Sequence, residues 1–275
     1  MEKKNIAIIG AGLTGLTAAY RLALNGNKVT IYEKGGSVGG LASGFAINGT
    51  NLEKAYHHIF RTDKEIIRLS KELGIEKNLK WNNSSIGLYY EGKMYPFMSA
   101  ADLLKFKPLS MVSKIRLGLT KIYLEKDKNW EKLVKKPAWL WMKQACGEQA
   151  YKVIWEPLLV GKFHEYYKNI SMAWLWARIH TRGNSIEKGD SREKLGYFMG
   201  GFQAISDALV KKIKEMDGKI ELDTTIEKIE TKGNKVKVRV DGKDKIFDKV
   251  IASIPSEVFG RLIDKNKYKK YIEKL

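Results

Sequence analysis

An apolar run that ends in glycine and turns directly into a helix leaves a chain few folding options. Ile6-Ala7-Ile8-Ile9 runs into Gly10-Ala11-Gly12-Leu13-Thr14-Gly15, and apolar residues then recur at helical spacing through Leu16, Ala19, Ala23 and Leu24. Val29-Thr30-Ile31-Tyr32 resumes an extended pattern, so the first 32 residues read as a βαβ unit. In such a unit Gly10 admits the tight turn, Gly12 lets the backbone approach a pyrophosphate, and Gly15 permits close packing of helix on strand. The helix N-terminus offers the phosphates unpaired N–H groups and a partial positive charge. Glu33 ends the second strand, where a carboxylate accepts hydrogen bonds from ribose hydroxyls and repels a 2′-phosphate. The pattern therefore predicts an FAD- or NAD-type site and argues against NADP.

Further along, Asn48-Gly49 predicts a tight turn, and a second hairpin is expected around Glu91-Gly92, between Leu88-Tyr89-Tyr90 and Met94-Tyr95. Thr62-Asp63-Lys64-Glu65 has capping-box spacing and opens a helix through Ile66, Leu69 and Leu73 that Gly74 stops. From Ser99 to about Ile179 the pattern turns helical and rich in Leu, Lys and Trp, with breaks expected at Pro108, Pro137, Gly147 and Pro157. A helix through Ile205, Leu209 and Ile213 follows Gly200-Gly201. Three strand-like runs come next, Ile220 to Thr231, Lys235 to Val240 and Lys245 to Ser253. The expected architecture is α/β: a Rossmann-like dinucleotide-binding domain at 1–80 and 196–275, interrupted at 81–195 by a mainly helical substrate domain.

The residues after Glu33 bear on which dinucleotide is bound. Glu33-Lys34-Gly35-Gly36-Ser37-Val38-Gly39-Gly40 places a glycine pair shortly after the acid. Here the chain resembles the flavin amine oxidase superfamily, which includes protoporphyrinogen oxidase, phytoene desaturases and UDP-galactopyranose mutase. The resemblance implies FAD, with a second loop at Lys34, Gly39, Gly40 and Leu41 against its diphosphate; Leu41 stands where the family often has Arg. It continues through Gly200-Gly201-Phe202-Gln203, through Leu222-Asp223-Thr224-Thr225-Ile226, where the backbone near Ile226 is implied to touch adenine, and through Asp248 to Pro255. Superfamily members continue into a final glycine-rich segment with no counterpart before Leu275, so the resemblance implies the N-terminal portion of a longer enzyme.

Tyr56-His57-His58-Ile59-Phe60-Arg61 resembles a His-Ile-Phe-His stretch of UDP-galactopyranose mutases in which a histidine faces the flavin, with Arg61 replacing the second histidine. The resemblance marks His58, beside His57, as a proton carrier or hydrogen-bond partner; the alternative is a polar pair capping the next helix. Trp155-Glu156-Pro157-Leu158-Leu159 and Trp174-Leu175-Trp176-Ala177-Arg178 resemble protoporphyrinogen-oxidase-like segments. Their aromatics either wall a substrate pocket, with Arg178 or Lys162 holding an anionic group, or simply fill the core. The implied activity is hydride transfer from an organic substrate to flavin; a non-redox sugar mutase and an FAD-binding protein without catalysis are the alternatives.

Composition sets the outer limits. A net charge of +19 is spread along the chain rather than blocked, which favours a generally basic surface over nucleic-acid binding. An acidic membrane surface or an anionic, or lipophilic, small-molecule substrate remains compatible with it. Leu103 to Leu124 reads as an amphipathic stretch that either packs within its domain or lies on a membrane. One cysteine, Cys146, forms no internal disulfide, and the four histidines show no metal-ligand spacing, so no metal is expected. No signal peptide is read at the start and no uncharged run approaches the roughly 20 residues of a spanning helix. A cytoplasmic protein, with peripheral membrane contact as an option, is the expectation.

Overall fold

The computed structural model describes residues 2–185 and 193–275. Along the first part of the chain lie β1 (Asn5–Ile9), α1 (Leu13–Leu24), β2 (Lys28–Tyr32), β3 (Gly44–Ile47), β4 (Thr50–Glu53), α2 (Lys64–Glu72) and β5 (Leu79–Asn83). The middle carries β6 (Gly87–Tyr90), β7 (Lys93–Pro96), α3 (Ala100–Lys105), α4 (Met111–Lys126), α5 (Ala138–Cys146), α6 (Glu148–Ala150), α7 (Glu156–Phe163) and α8 (Met172–Asn184). The last part holds β8 (Lys194–Phe198), α9 (Gln203–Glu215), β9 (Lys219–Glu221), β10 (Ile226–Lys232), β11 (Lys235–Val240), β12 (Lys243–Phe247), β13 (Lys249–Ala252), α10 (Ser256–Leu262) and α11 (Lys269–Ile272). The chain divides into two units, Met1–His58 with Glu65–Lys80 and Tyr197–Leu275, and Ile59–Lys64 with Trp81–Gly196.

The first unit is built on a parallel sheet in the order β13-β1-β2-β9. Ile6 to Ile9 are all buried, as expected of a parallel strand covered on both faces. Ala7, Ile9 and Tyr32 pack with Ile226, Val238, Val240 and Phe247 of the antiparallel sheet β10-β11-β12. Helices α1 and α9 pack on each other through faces that bury Leu16, Ala19 and Tyr20 on one and Ile205, Leu209 and Ile213 on the other. Asn48 and Gly49 both adopt positive φ and join β3 to β4, so the predicted turn forms.

Two of the strand runs divide where the sequence suggests continuity. Ile220 to Thr231 breaks at Asp223, whose φ of 51° ends β9 in the parallel sheet and frees β10 to enter the antiparallel one. Lys245 to Ser253 breaks at Asp248, whose carboxylate accepts from the Asn5 N–H at 2.7 Å and pairs with Lys235 at 2.5 Å. At Asp248 the short acidic side chain takes partners that a continuous strand would forgo, while at Asp223 it is the backbone that turns away, its N–H donating to the Gly35 carbonyl at 3.2 Å.

The second unit is mainly helical, with the β6–β7 hairpin turning at Glu91-Gly92. Its core joins Leu117, Leu124, Leu133, Met142, Ile154, Leu159, Met172 and Leu175. Gly147, at φ 89°, breaks the helix after α5 as expected. Pro157 does not break its helix. A π-helical turn at Tyr151–Trp155 precedes it, and Pro157 enters the first turn of α7, where its missing N–H costs nothing. Helix α4 departs from ordinary amphipathic packing. It buries Ser113, Lys114 and Thr120 beside Leu117 and Leu124, while Met111, Val112, Ile115, Leu119 and Ile122 are exposed. The buried Lys114 ammonium is satisfied by donating to the Leu104 carbonyl at 2.7 Å. Cys146 lies in this core, its Sγ donating to the Met142 carbonyl, and burial pushes its thiol up to about 11.

Candidate functional site

The glycine turn between β1 and α1 is held from three sides. Gly10, at φ 98°, donates its N–H to the Tyr32 carbonyl at 2.8 Å. Ser253, at the end of β13, places its hydroxyl 3.1 Å from the carbonyls of Ile9 and Gly10. A Cβ on Gly15 would lie 2.0 Å from the Gly10 carbonyl oxygen and 2.6 Å from the Ser253 hydroxyl, so packing alone demands glycine there. Gly12 is different. Its φ of −69° is open to any residue, and a Cβ there would meet nothing within 4 Å. Neither backbone strain nor internal packing requires glycine at that position, so the space above it is free for something from outside the chain.

The second glycine loop lies directly against this turn. Gly39 donates to the Ala11 carbonyl at 2.8 Å and pairs with Gly12 in a parallel bridge. A Cβ on Gly40 would come within 3.2 Å of the Gly12 Cα. Glu33 ties the loops together: Oε2 accepts from the Ala11 N–H at 2.7 Å and Oε1 from the Gly35 N–H at 2.8 Å. Each carboxylate oxygen keeps a lone pair for a further donor. The N-terminus of α1 has no acidic residue in its first turn and no side-chain cap, so the N–H groups of Leu13, Thr14 and Gly15 and the helix dipole are left to an external anion. Lys34 and Leu41 flank the loop as exposed side chains, and Ile226, on β10, is buried under the sheet.

Several supports of this site come from outside the two glycine loops. The segment after β9 runs along the second loop, with Thr224 donating to the Glu33 carbonyl at 2.9 Å and Asp223 to the Gly35 carbonyl at 3.2 Å. Ser206 on α9 is fully buried, its hydroxyl without a hydrogen-bond partner among the described residues and close enough that a Cβ on Gly39 would lie 3.1 Å from it. Glu53 accepts from the Tyr197 hydroxyl at 2.7 and 2.6 Å and from the Phe202 N–H at 2.8 Å, which pins the Gly200-Gly201 turn. Burial opposes ionisation of Glu53, but these hydrogen bonds outweigh it and lower its pKa, while burial and the carboxylate push Tyr197 up to about 12. The only signal in the sequence is the glycine pair that Glu53 serves, far away in the chain.

The residues proposed for chemistry do not form one cluster within a unit. His57 and His58 end the first stretch of the nucleotide-type unit. The His57 Nδ1 lies 2.6 Å from the Ala55 carbonyl and its ring 5.4 Å from Phe202, while the His58 ring lies 5.1 Å from that of Tyr56. Arg178 belongs to the helical unit, exposed on α8 with its guanidinium 5.5 Å over the Trp174 ring. Trp174 packs edge-on against Phe163, and Trp176 stacks on His180 and donates to the Asp127 carbonyl. Trp155, by contrast, lines a cavity in the same unit, as does Arg182, one turn beyond Arg178. Among the described residues no group of three or more His, Cys, Asp or Glu side chains is placed to hold a metal ion.

Comparison with known proteins gives the family of the chain. Residues 13–272 match the family described as flavin containing amine oxidoreductase. The mitochondrial protoporphyrinogen oxidase of Nicotiana tabacum is 24% identical over 244 residues, covering 77% of this chain and 48% of the relative. Coproporphyrinogen III oxidase of Staphylococcus aureus is 22% identical over 298 residues, covering 93% and 61%. Among solved structures, an oxidoreductase from Methanosarcina mazei superposes with a TM-score of 0.71 at 18% identity, covering 98% of this chain and 64% of that one. The chain thus spans between about half and under two thirds of the length of these relatives.

Proposed function

The chain belongs to the flavin containing amine oxidoreductase family, and we propose that it is the FAD-binding and helical portion of an oxidoreductase that takes a hydride from an organic substrate. The observation that carries the reading is Gly12, a glycine that neither its φ nor its neighbours require, facing empty space at the mouth of an uncapped helix. In this reading the parallel sheet is the core of a Rossmann-like domain. The N–H groups of Leu13, Thr14 and Gly15 receive the diphosphate, and the Gly39-Gly40 loop, flanked by Lys34 and Leu41, closes on its other side. The free lone pairs of Glu33 accept the ribose hydroxyls, and the backbone at Ile226 meets the adenine. Bound FAD supplies the hydride acceptor. His58 and His57, at the end of this unit, hold or move a proton beside it, and Arg178 offers a charge to an anionic substrate.

The test is direct. Incubated with FAD and passed through a desalting column, the chain is expected to retain the visible bands of bound flavin; their absence overturns the reading for this chain. Anaerobic bleaching of those bands by a porphyrinogen or an amine supports hydride transfer. Retained flavin that no such donor bleaches leaves FAD binding without the proposed chemistry.

We also propose peripheral contact with an anionic membrane surface through α4. Its exposed Met111, Val112, Ile115, Leu119 and Ile122 form an apolar stripe on a chain of net charge +19, although among the described residues no helix is long and apolar enough to cross a bilayer. Co-sedimentation with phosphatidylglycerol vesicles, lost in Val112→Glu/Leu119→Glu, supports the contact; equal recovery with and without vesicles contradicts it.

A further inference from the structure

The helical unit contains a cavity of about 420 Å³, within the size range of small-molecule sites. Its walls are mostly apolar, contributed by Phe97, Leu103, Leu117, Leu124, Met142 and Ile154. Four charged residues also line it, and they occur as opposite pairs. Lys121 and Glu125 are joined at 2.5 Å. Arg182 and Glu193 approach only to 3.9 Å, beyond hydrogen-bond distance. Glu193 is 5% exposed; its Oε2 accepts from the Ser84 hydroxyl at 3.2 Å, while its Oε1 is buried with no hydrogen-bond partner among the described residues. Buried polar atoms without partners are rare and each calls for an explanation; on Glu193, a residue that lines the cavity, a ligand donor supplies one.

The charge balance selects the kind of donor. A carboxylate ligand would find Arg182 but face Glu193, and an ammonium would find Glu193 but face Arg182. A group that both accepts from the guanidinium and donates to the carboxylate fits between them, and a hydroxyl does both. We propose that this cavity binds a neutral, largely apolar molecule carrying a hydroxyl group, seated with the hydroxyl between Arg182 and Glu193 and the apolar body among the leucines. The site stands on the helical unit by itself and does not depend on the flavin reading.

The experiment uses the whole chain and the neutral dye N-phenyl-1-naphthylamine, whose fluorescence rises in apolar cavities. Dye binding is expected, with 1-decanol displacing it at a concentration at least about tenfold below that needed for decanoate or decylammonium, because each ion must be desolvated beside a like charge. Gly118 lies on the cavity wall in α4, and a Cβ there would meet nothing within 4 Å, so Gly118→Phe fills the space without a clash in the backbone. That variant is expected to keep its melting temperature and lose both dye and decanol. Glu193→Leu is expected to keep the dye and lose the preference for decanol over decanoate. Failure of the wild type to bind the dye, displacement by either ion at concentrations equal to decanol, or a preference unchanged in Glu193→Leu overturns the proposal. These outcomes are read without FAD, so they are distinct from failure of flavin binding.

Discussion

The glycine loops and the helical cavity are two concave features made in opposite ways. The first is built from backbone: N–H groups, carbonyls and missing side chains within residues 10–15 and 33–40, with one carboxylate bridging them. The second is built from side chains delivered by α3, α4, α5 and α8, by the π-helical turn, and by residues that flank the β6–β7 hairpin and precede β8. A backbone site leaves its mark in a short stretch of sequence, because only glycine allows the approach. A side-chain site is assembled from residues that each look like ordinary core.

The comparison breaks first, and with the largest effect, at Gly15. Gly15→Val places carbon atoms inside the Gly10 carbonyl and is expected to cost about 3 kcal/mol or more; a melting temperature near wild type would show that the turn yields. Next comes a change confined to the helical unit. Leu175→Ala, at a residue 1% exposed, is expected to destabilise by roughly 2–5 kcal/mol in chemical denaturation while FAD affinity stays the same. A matching loss of affinity would mean the two regions are coupled. Glu33→Ala removes the charged acceptor shared by Ala11 and Gly35 and is expected to cost about 2 kcal/mol in stability, with FAD binding weakened by roughly 1–3 kcal/mol. An unchanged dissociation constant would remove Glu33 from the ribose site.

The smallest of these effects is a pH dependence. Glu53 ionises below its ordinary value of 4.5 in the folded chain, so its contribution is complete above that pH and is lost as pH falls through the lowered folded value. Glu53→Gln is expected to cost about 1 kcal/mol at neutral pH and to flatten the acid limb of stability against pH. Parallel acid limbs in the two proteins would place the responsible carboxylate elsewhere.

These differences explain what was legible in the sequence. The βαβ unit, both hairpin turns and the second glycine loop were readable because positive φ and close approach restrict residue choice at Gly10, Gly15, Asn48-Gly49 and Gly92. The division of two strand runs was not, since Asp223 and Asp248 look like ordinary polar positions until their partners are known. Pro157 read as a break because nothing local signals the π turn that accommodates it. Ser253 and Ser206 support the glycine loops from far along the chain, the Glu53–Tyr197 pair holds the Gly200-Gly201 turn, and Glu193 and Arg182 lie beyond the residues singled out from tryptophan spacing.

Gly12 carries the central claim, because it is a glycine the fold does not need. Gly12→Val, compared with wild type in thermal melting and in FAD titration, measures this most directly. Stability is expected to change by no more than about 0.5 kcal/mol, since φ and the surrounding space accept a side chain. FAD affinity is expected to fall at least about tenfold, or 1.4 kcal/mol, as the side chain fills the approach to the diphosphate. Unchanged FAD affinity in a folded Gly12→Val protein would contradict the account.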